Sequence, residues 1–359
     1  MALNLDVTVN LTGGTISGTL SEHFPLIIVP NTVTGKESTA AVPYTECTSL
    51  NDVTAAGFST DSKLYKAVKL MLSQAKKPKK FAICGSTATT AAAAVTSVLN
   101  KDWRQIITVA LGEEETIADV AALIETTEDK VYFTSIAIEG WAAMAAAALG
   151  TAWKTATSAL AAYDRTVIMF YDNSVQTPEA ALVGASAGYA AGSFTYKNLI
   201  LKGIAPLNFT SAMLTVLTNT DGAAKGITVV KKAGDIVTSE GKVASGEYID
   251  IIDSYDWIIE HIGYYNQKVF NVNPKVPFTN AGIAQLEAAT LSVLKEAFDN
   301  GMIAEKDENA NEGEYATNFL PAADISADDK ANRHYSGGNF SFKLAGAIHT
   351  AEINGTIAA

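Results

Sequence analysis

Residues 131–191 read VYFTSIAIEGWAAMAAAALGTAWKTATSALAAYDRTVIMFYDNSVQTPEAALVGASAGYAA. Two short runs of β-branched and aromatic residues, Val131 to Ile138 and Thr166 to Tyr171, are each followed by an alanine-rich segment, Trp141 to Leu149 and Pro178 to Ala191. Apolar strands of this length alternating with helices predict a largely parallel sheet with helices packed on its faces. The same alternation extends upstream: a helix from Lys63 to Ala75, strands at Phe81 to Cys84 and Ile106 to Leu111, and a helix from Glu114 to Ile124. Residues 61–205 are therefore expected to form an α/β domain.

Downstream of Pro206 the pattern changes. Ile227 to Lys231 and Asp235 to Thr238 read as strands joined at Ala233-Gly234, and a helix is expected from about Tyr248 to Ile262. A second helix should run from about Asn280 to Asn300, with Thr279 as N-cap and Gly301 as the glycine just past its end. The acidic stretch Glu305 to Glu314 and a polar region complete an α+β segment, 206–338. The fold class is thus α/β plus α+β, with the middle α/β domain inserted in or preceding an α+β core to which residues 23–60 contribute.

Both ends of the chain read as strands. Leu3, Leu5, Val7, Val9 and Leu11 alternate with polar residues, the period of a half-buried strand, and Gly13, Gly14 and Gly18 follow as a hinge. At the other end Phe340, Phe342 and Leu344 alternate, Gly346 breaks the phase, and apolar residues resume at Ile348, Ile353 and Ile357. Residues 1–22 and 339–359 are expected to be strand arms, and an unpaired strand edge is a template for joining another chain.

The chain has 359 residues, 48% of them hydrophobic but only 18% charged, so more of its surface than usual is expected to be buried against partners. Lys plus Arg is 26 against 38 for Asp plus Glu, and the net charge of −12 disfavours direct nucleic-acid binding. The N-terminus lacks a basic region followed by an apolar run, and no stretch approaches a membrane span, so a soluble chain remaining in the cytosol that makes it is expected. Cys47 and Cys84 stand apart and read as reduced structural thiols.

Weighed one by one, the chemical motifs are weak. Gly85-Ser-Thr-Ala-Thr follows a strand as a phosphate loop would, but it lacks a second glycine with Lys-Ser/Thr, and Ser86 or Thr87 reads as a helix N-cap. Asp307, Asn309 and Asn311 only faintly echo a calcium loop, since Gly313 comes one place late. His23, His261, His334 and His349 are scattered without a nucleophile signature. No catalytic, cofactor or metal site is expected. Two charged groups remain as candidate contacts. Lys76, Lys77, Lys79 and Lys80 form a basic turn, and Asp250, Asp253, Asp256 and Glu260 fall on one helix face as a solvated or inter-subunit stripe.

Several stretches together resemble contractile phage tail sheath proteins. They are residues 189–206 (YAAGSFTYKNLILKGIAP), 241–250 (GKVASGEYID) with Asp256-Trp257, 275–284 (KVPFTNAGIA), 294–303 (LKEAFDNGMI) and 344–357 (LAGAIHTAEINGTI). The resemblance implies a sheath core carrying the α/β domain, with both terminal arms joining a small sheet in neighbouring copies. It also implies a helical sleeve around a tail tube protein, bounded by baseplate and tail terminator proteins, in a virion tail or phage-tail-like particle assembled in a bacterial host cytoplasm. Contraction of the sleeve would drive the tube through a bacterial envelope without an enzyme site. Two alternatives stay open: a ring-forming baseplate or terminator component of the same machine, and an α/β small-molecule-binding enzyme.

Overall fold

In the computed structural model, which describes residues 20, 22–30, 41–88, 90–109, 117–127, 129–172, 176–306 and 311–353, the first strand is β1 (Leu26–Val29), inside the main sheet. Its LIIV run is buried at all four positions. A strand covered on both faces needs no alternation. It pairs in parallel with β3 (Phe81–Gly85) on one side and β4 (Gln105–Thr108) on the other. Between β1 and β3 in sequence come β2 (Val42–Cys47), α1 (Leu50–Ala55) and α2 (Lys63–Leu72). The chain continues through α3 (Ala91–Thr96) and, after β4, α4 (Ile117–Glu125), β5 (Val131–Ile136), α5 (Ala146–Thr157), β6 (Thr166–Phe170), α6 (Pro178–Ser186), α7 (Ser211–Asn219) and β7 (Gly226–Ile227).

The seven-stranded sheet has the order β2-β3-β1-β4-β5-β6-β7, with every pair parallel except β2 with β3. The expected strand–helix alternation is therefore present, but the sheet reaches beyond residues 61–205. Strands β1 and β2 enter from the segment before 61, and β7 from the segment after 206. Trp141 to Leu149 also differs from the expected helix. A single 3-10 turn spans Trp141–Ala143, Met144 is extended, and α5 starts at Ala146. Trp141 stacks on Phe209 at 4.6 Å and donates from Nε1 to Asp172, so tertiary packing fixes the turn.

All nine residues of α6 are buried. It crosses α2 so closely that a Cβ at Gly184 would lie 2.8 Å from the Met71 Cα, with the Met71 carbonyl oxygen closer still. Backbone cannot yield as a side-chain tip can, so Gly184→Ala is expected to cost about 1–3 kcal/mol, read as a lower urea midpoint. An unchanged midpoint would mean that the two helices separate at no cost.

Past the sheet, β8 (Val229–Lys232) and β9 (Asp235–Thr238) form a hairpin whose two turn residues, Ala233 and Gly234, both have positive φ. Two long helices follow, α8 (Ile249–Val272) and α9 (Asn280–Asp299). Thr279 caps α9 by accepting from the Gly282 N–H, and Gly301 ends it at φ 81° with Met302 N–H donating to the Ala297 carbonyl. Helix α8 runs ten residues past the expected end at Ile262, and in that extension buried Asn266 donates to Thr290 of α9 at 3.0 Å.

The chain closes with β10 (Tyr315–Phe319), α10 (Ala327–Ala331) and β11 (Gly338–Phe342), and β10 pairs antiparallel with β11. A second, smaller core lies between α8, α9 and this pair, built on Ile258, Ile262, Val293, Leu294 and Met302. The expected strand at Leu3 to Leu11, the glycines Gly13, Gly14 and Gly18, and Ile357 lie outside the described residues.

Candidate functional site

Helix α8 begins against the large core and ends in the small one, and its acidic face is where the two meet. Arg104 stands one residue before β4 and Arg165 one residue before β6, so parallel strands bring both guanidinium groups to the same end of the sheet. Asp253 and Asp256, three apart on α8, face them. Arg104 donates to Asp256 Oδ2 at 2.8 Å and to Asp253 Oδ1 through Nε at 3.2 Å, while Arg165 grips both Asp256 oxygens at 2.9 Å each. Tyr196 donates its hydroxyl to Asp253 Oδ2 at 2.9 Å. The side chains of Arg104 and Asp256 are each only 6% exposed.

Burial opposes charge here, but it is outweighed. Desolvation works to raise the Asp256 pKa, yet the Arg104 charge and the Arg165 hydrogen bond hold it below the usual carboxylate value. Burial and the neighbouring Asp253 both push the Tyr196 hydroxyl far up, so it stays a neutral donor. The other two positions are also occupied: Asp250 accepts weakly from Thr195 at 3.5 Å, and Glu260 lies 2.9 Å from His23 Nε2. Each of the four carboxylates thus has a partner within the same chain, and Asp256 is buried.

The lysine turn divides. Lys80 is half-buried, bonded to Glu22 at 2.7 Å and Glu46 at 2.9 Å, and stands over the Phe24 ring. Lys76, Lys77 and Lys79 are exposed, with Lys76 5.2 Å above the ring of Tyr189. After β3 the helix cap is Thr90, which accepts from the Ala93 N–H, whereas Ser86 accepts from the Ala88 N–H in the turn before it. Among the described residues no cluster of three His, Cys, Asp or Glu is placed to hold a metal, and no helix is long and apolar enough to cross a membrane.

The C-terminal residues fall into two groups. Phe340 and Phe342 lie in β11 and pack with Leu344 against the small core, and Leu344 bridges to Ile303. Within this chain β10 supplies the strand partner of Phe340 and Phe342. Beyond the last backbone bond, from Ala345 N–H to the Met302 carbonyl, the chain runs without regular structure past Gly346, and Ile348 and Ile353 are 90% and 92% exposed. The outer edges of β10 and β11 have no strand partner among the described residues. A two-stranded sheet with both edges open is marginal alone and receptive to a further strand.

No protein-family model matches the sequence, and no curated protein matches it either. Solved structures do. A chain of the cryo-EM structure of the anti-feeding prophage (AFP) baseplate, 6-fold symmetrised, aligns with TM-score 0.67 at 12% identity, covering 100% of this chain and 99% of that one. The fold is that of contractile injection system sheath and baseplate structures. The AFP helical sheath in its contracted state aligns at TM-score 0.62 and 14% identity, over 99% of this chain and 98% of that chain. The sheath complex of an extracellular contractile injection system, PVC, also contracted, aligns at 0.64 and 13% with the same coverage.

Proposed function

We propose that the chain is a non-catalytic, sheath-type subunit of a contractile injection particle, assembling helically around a tail tube by strand exchange between copies. The observation that carries this reading is the β10–β11 pair, with no further strand on either edge among the described residues, beside a tail that exposes Ile348 and Ile353. In a polymer, the 1–22 arm and the end of the 339–359 arm of neighbouring copies would add to those edges. Each backbone bond so formed is worth about 0.5–1.5 kcal/mol net, and a lattice repeats it in every subunit. A head-to-tail contact of this kind does not close on itself and generates a helix. The likeness to two contracted sheaths over the whole chain length supports the same role.

The partners would be copies of this chain, a tube protein, and baseplate and terminator proteins, in a phage-tail-like particle assembled in a bacterial cytoplasm. The baseplate alignment favours a second reading, a ring-forming component of the same kind of machine.

Negative-stain electron microscopy of the purified chain, with and without residues 1–18, tests both. Hollow striated tubes are expected from the full chain. The truncated chain should give folded single particles with an unchanged circular dichroism spectrum. Closed rings from the full chain would favour the second reading, and tubes from the truncated chain would overturn strand exchange by the N-terminal arm.

A further inference from the structure

Within a tail whose neighbours are almost fully exposed, one side chain is not. His349 is 12% exposed, against 90% for Ile348. Its imidazole sits in a socket where three segments meet: Thr195 after α6, Glu240 after β9, and Tyr248 at the N-cap of α8. Nε2 lies 2.9 Å from Thr195 Oγ1, Nδ1 lies 3.8 Å from Glu240 Oε1, and the ring meets Tyr248 edge-on at 4.8 Å. Thr195 Oγ1 is also 3.5 Å from Asp250 Oδ1, so the hydroxyl sits between the imidazole and that carboxylate. Glu240 is held from its other oxygen by Lys197 at 3.2 Å, and Lys242 covers the Tyr248 ring at 4.7 Å. The socket is therefore built from side chains that are themselves fixed.

We propose that His349 is the pin that fixes the path of the C-terminal tail and the point at which load on that tail enters the subunit body. The load path is short. Thr195, which holds the pin, is adjacent to Tyr196, whose hydroxyl binds Asp253 in the buried Arg104–Asp256–Arg165 group. A pull on the tail is thus delivered to the joint between the sheet and α8, not to the β10–β11 pair alone. The mechanical role rests on the strand-exchange reading above, whereas the pin itself is a property of the single subunit. It also shortens the loose part of the described tail: 346–349 are held, and 350–353 run on exposed beyond the pin.

Glu352 is exposed, three residues past the pin, and a glutamate-specific protease must seat several residues before its cleavage point in extended form, so cleavage after Glu352 requires His349 to leave its socket. Release of the peptide Ile353–Ala359 from the dilute full chain is followed by mass spectrometry. Losing one buried hydrogen bond and the ring's packing should raise the open population, so His349→Ala is expected to be cut about tenfold faster. His349→Gln, which keeps a polar group of similar reach, should recover part of the protection. Ile348→Ala, one residue away and exposed, should leave the rate unchanged. Equal rates for His349→Ala and the unaltered chain would overturn the pin, as would an equal acceleration by Ile348→Ala. Tube formation is scored in parallel by electron microscopy. Faster cleavage with tubes unaffected keeps the pin and overturns its load-bearing role. Faster cleavage with tubes that are short or lost supports both.

Discussion

Asp256→Ala is expected to lower stability by about 3–5 kcal/mol, measured as urea unfolding at neutral pH. The magnitude comes from what the substitution leaves behind. Asp256 accepts from Arg104 and, through both oxygens, from Arg165, and its side chain is 6% exposed. Arg104 would keep Asp253, but Arg165, at 12% side-chain exposure, would keep no ion pair among those described. A guanidinium cannot deprotonate to escape the interior, so the charge stays and its desolvation is uncompensated. A loss under about 1 kcal/mol would show that water reaches Arg165 and that the joint is not sealed.

The pH dependence has a definite sign. The folded Asp256 pKa lies below its unfolded value of about 3.9, so its contribution is complete above that value and disappears as pH falls through the folded one. The deficit of the Asp256→Ala chain should therefore be constant from about pH 8 to 5 and shrink only below about pH 4.

This joint was half legible in the sequence. The spacing of Asp250, Asp253, Asp256 and Glu260 places them on one helix face, and the structure does so. A helical period says which residues share a face but not what that face meets. The partners lie about 55 to 240 positions away in the chain. A signal existed: the chain has only three arginines, and two of them stand directly before strands of the apolar type. An arginine at the mouth of a buried parallel strand needs an anion, and the nearest acidic stripe is the economical choice.

Legibility of the fold follows the same division between local and distant causes. Strands β3 to β6 and helices α2, α6 and α9 are readable because their caps, glycines and apolar runs are local. Strand β1 lies inside the sheet, between β3 and β4, yet is only four residues long, and LIIV carries no period because both of its faces are covered. Strand β10 is YATNF, whose half-buried side chains give no clear alternation of polarity. Without it, Phe340 and Phe342 look like an unpartnered arm. With it, they face the small core from a paired strand, and the described residues without backbone pairing begin after Ala345.

The second large effect concerns a carboxyl group in the opposite situation. Glu179 sits in the first turn of α6, buried, with no hydrogen-bond partner for Oε2. Burial pushes its pKa up to about 7, and its own backbone N–H and the Ser135 hydroxyl counter this only in part. Below the unfolded value of about 4.3, both states are protonated and ionisation of the residue costs nothing. As pH rises towards 7, the unfolded chain ionises first, and stability falls by about 1.4 kcal/mol per pH unit until the folded group ionises as well. The accumulated cost is about 3 kcal/mol at pH 8, where the charge is either withheld or buried without a counter-ion. Glu179→Gln cannot ionise and keeps the shape, so it is expected to be near neutral at pH 4.5 and to stabilise by about 2–3 kcal/mol at pH 8. Urea titrations at the two pH values decide it. A benefit of equal size at both would trace to packing, and no benefit at pH 8 would mean that Glu179 is ionised and solvated in the folded chain. With the predicted outcome, one chain carries two buried carboxyl groups of opposite pH response: Asp256 holds its body together down to acid pH, and Glu179 loosens the α6 layer as pH rises through neutrality.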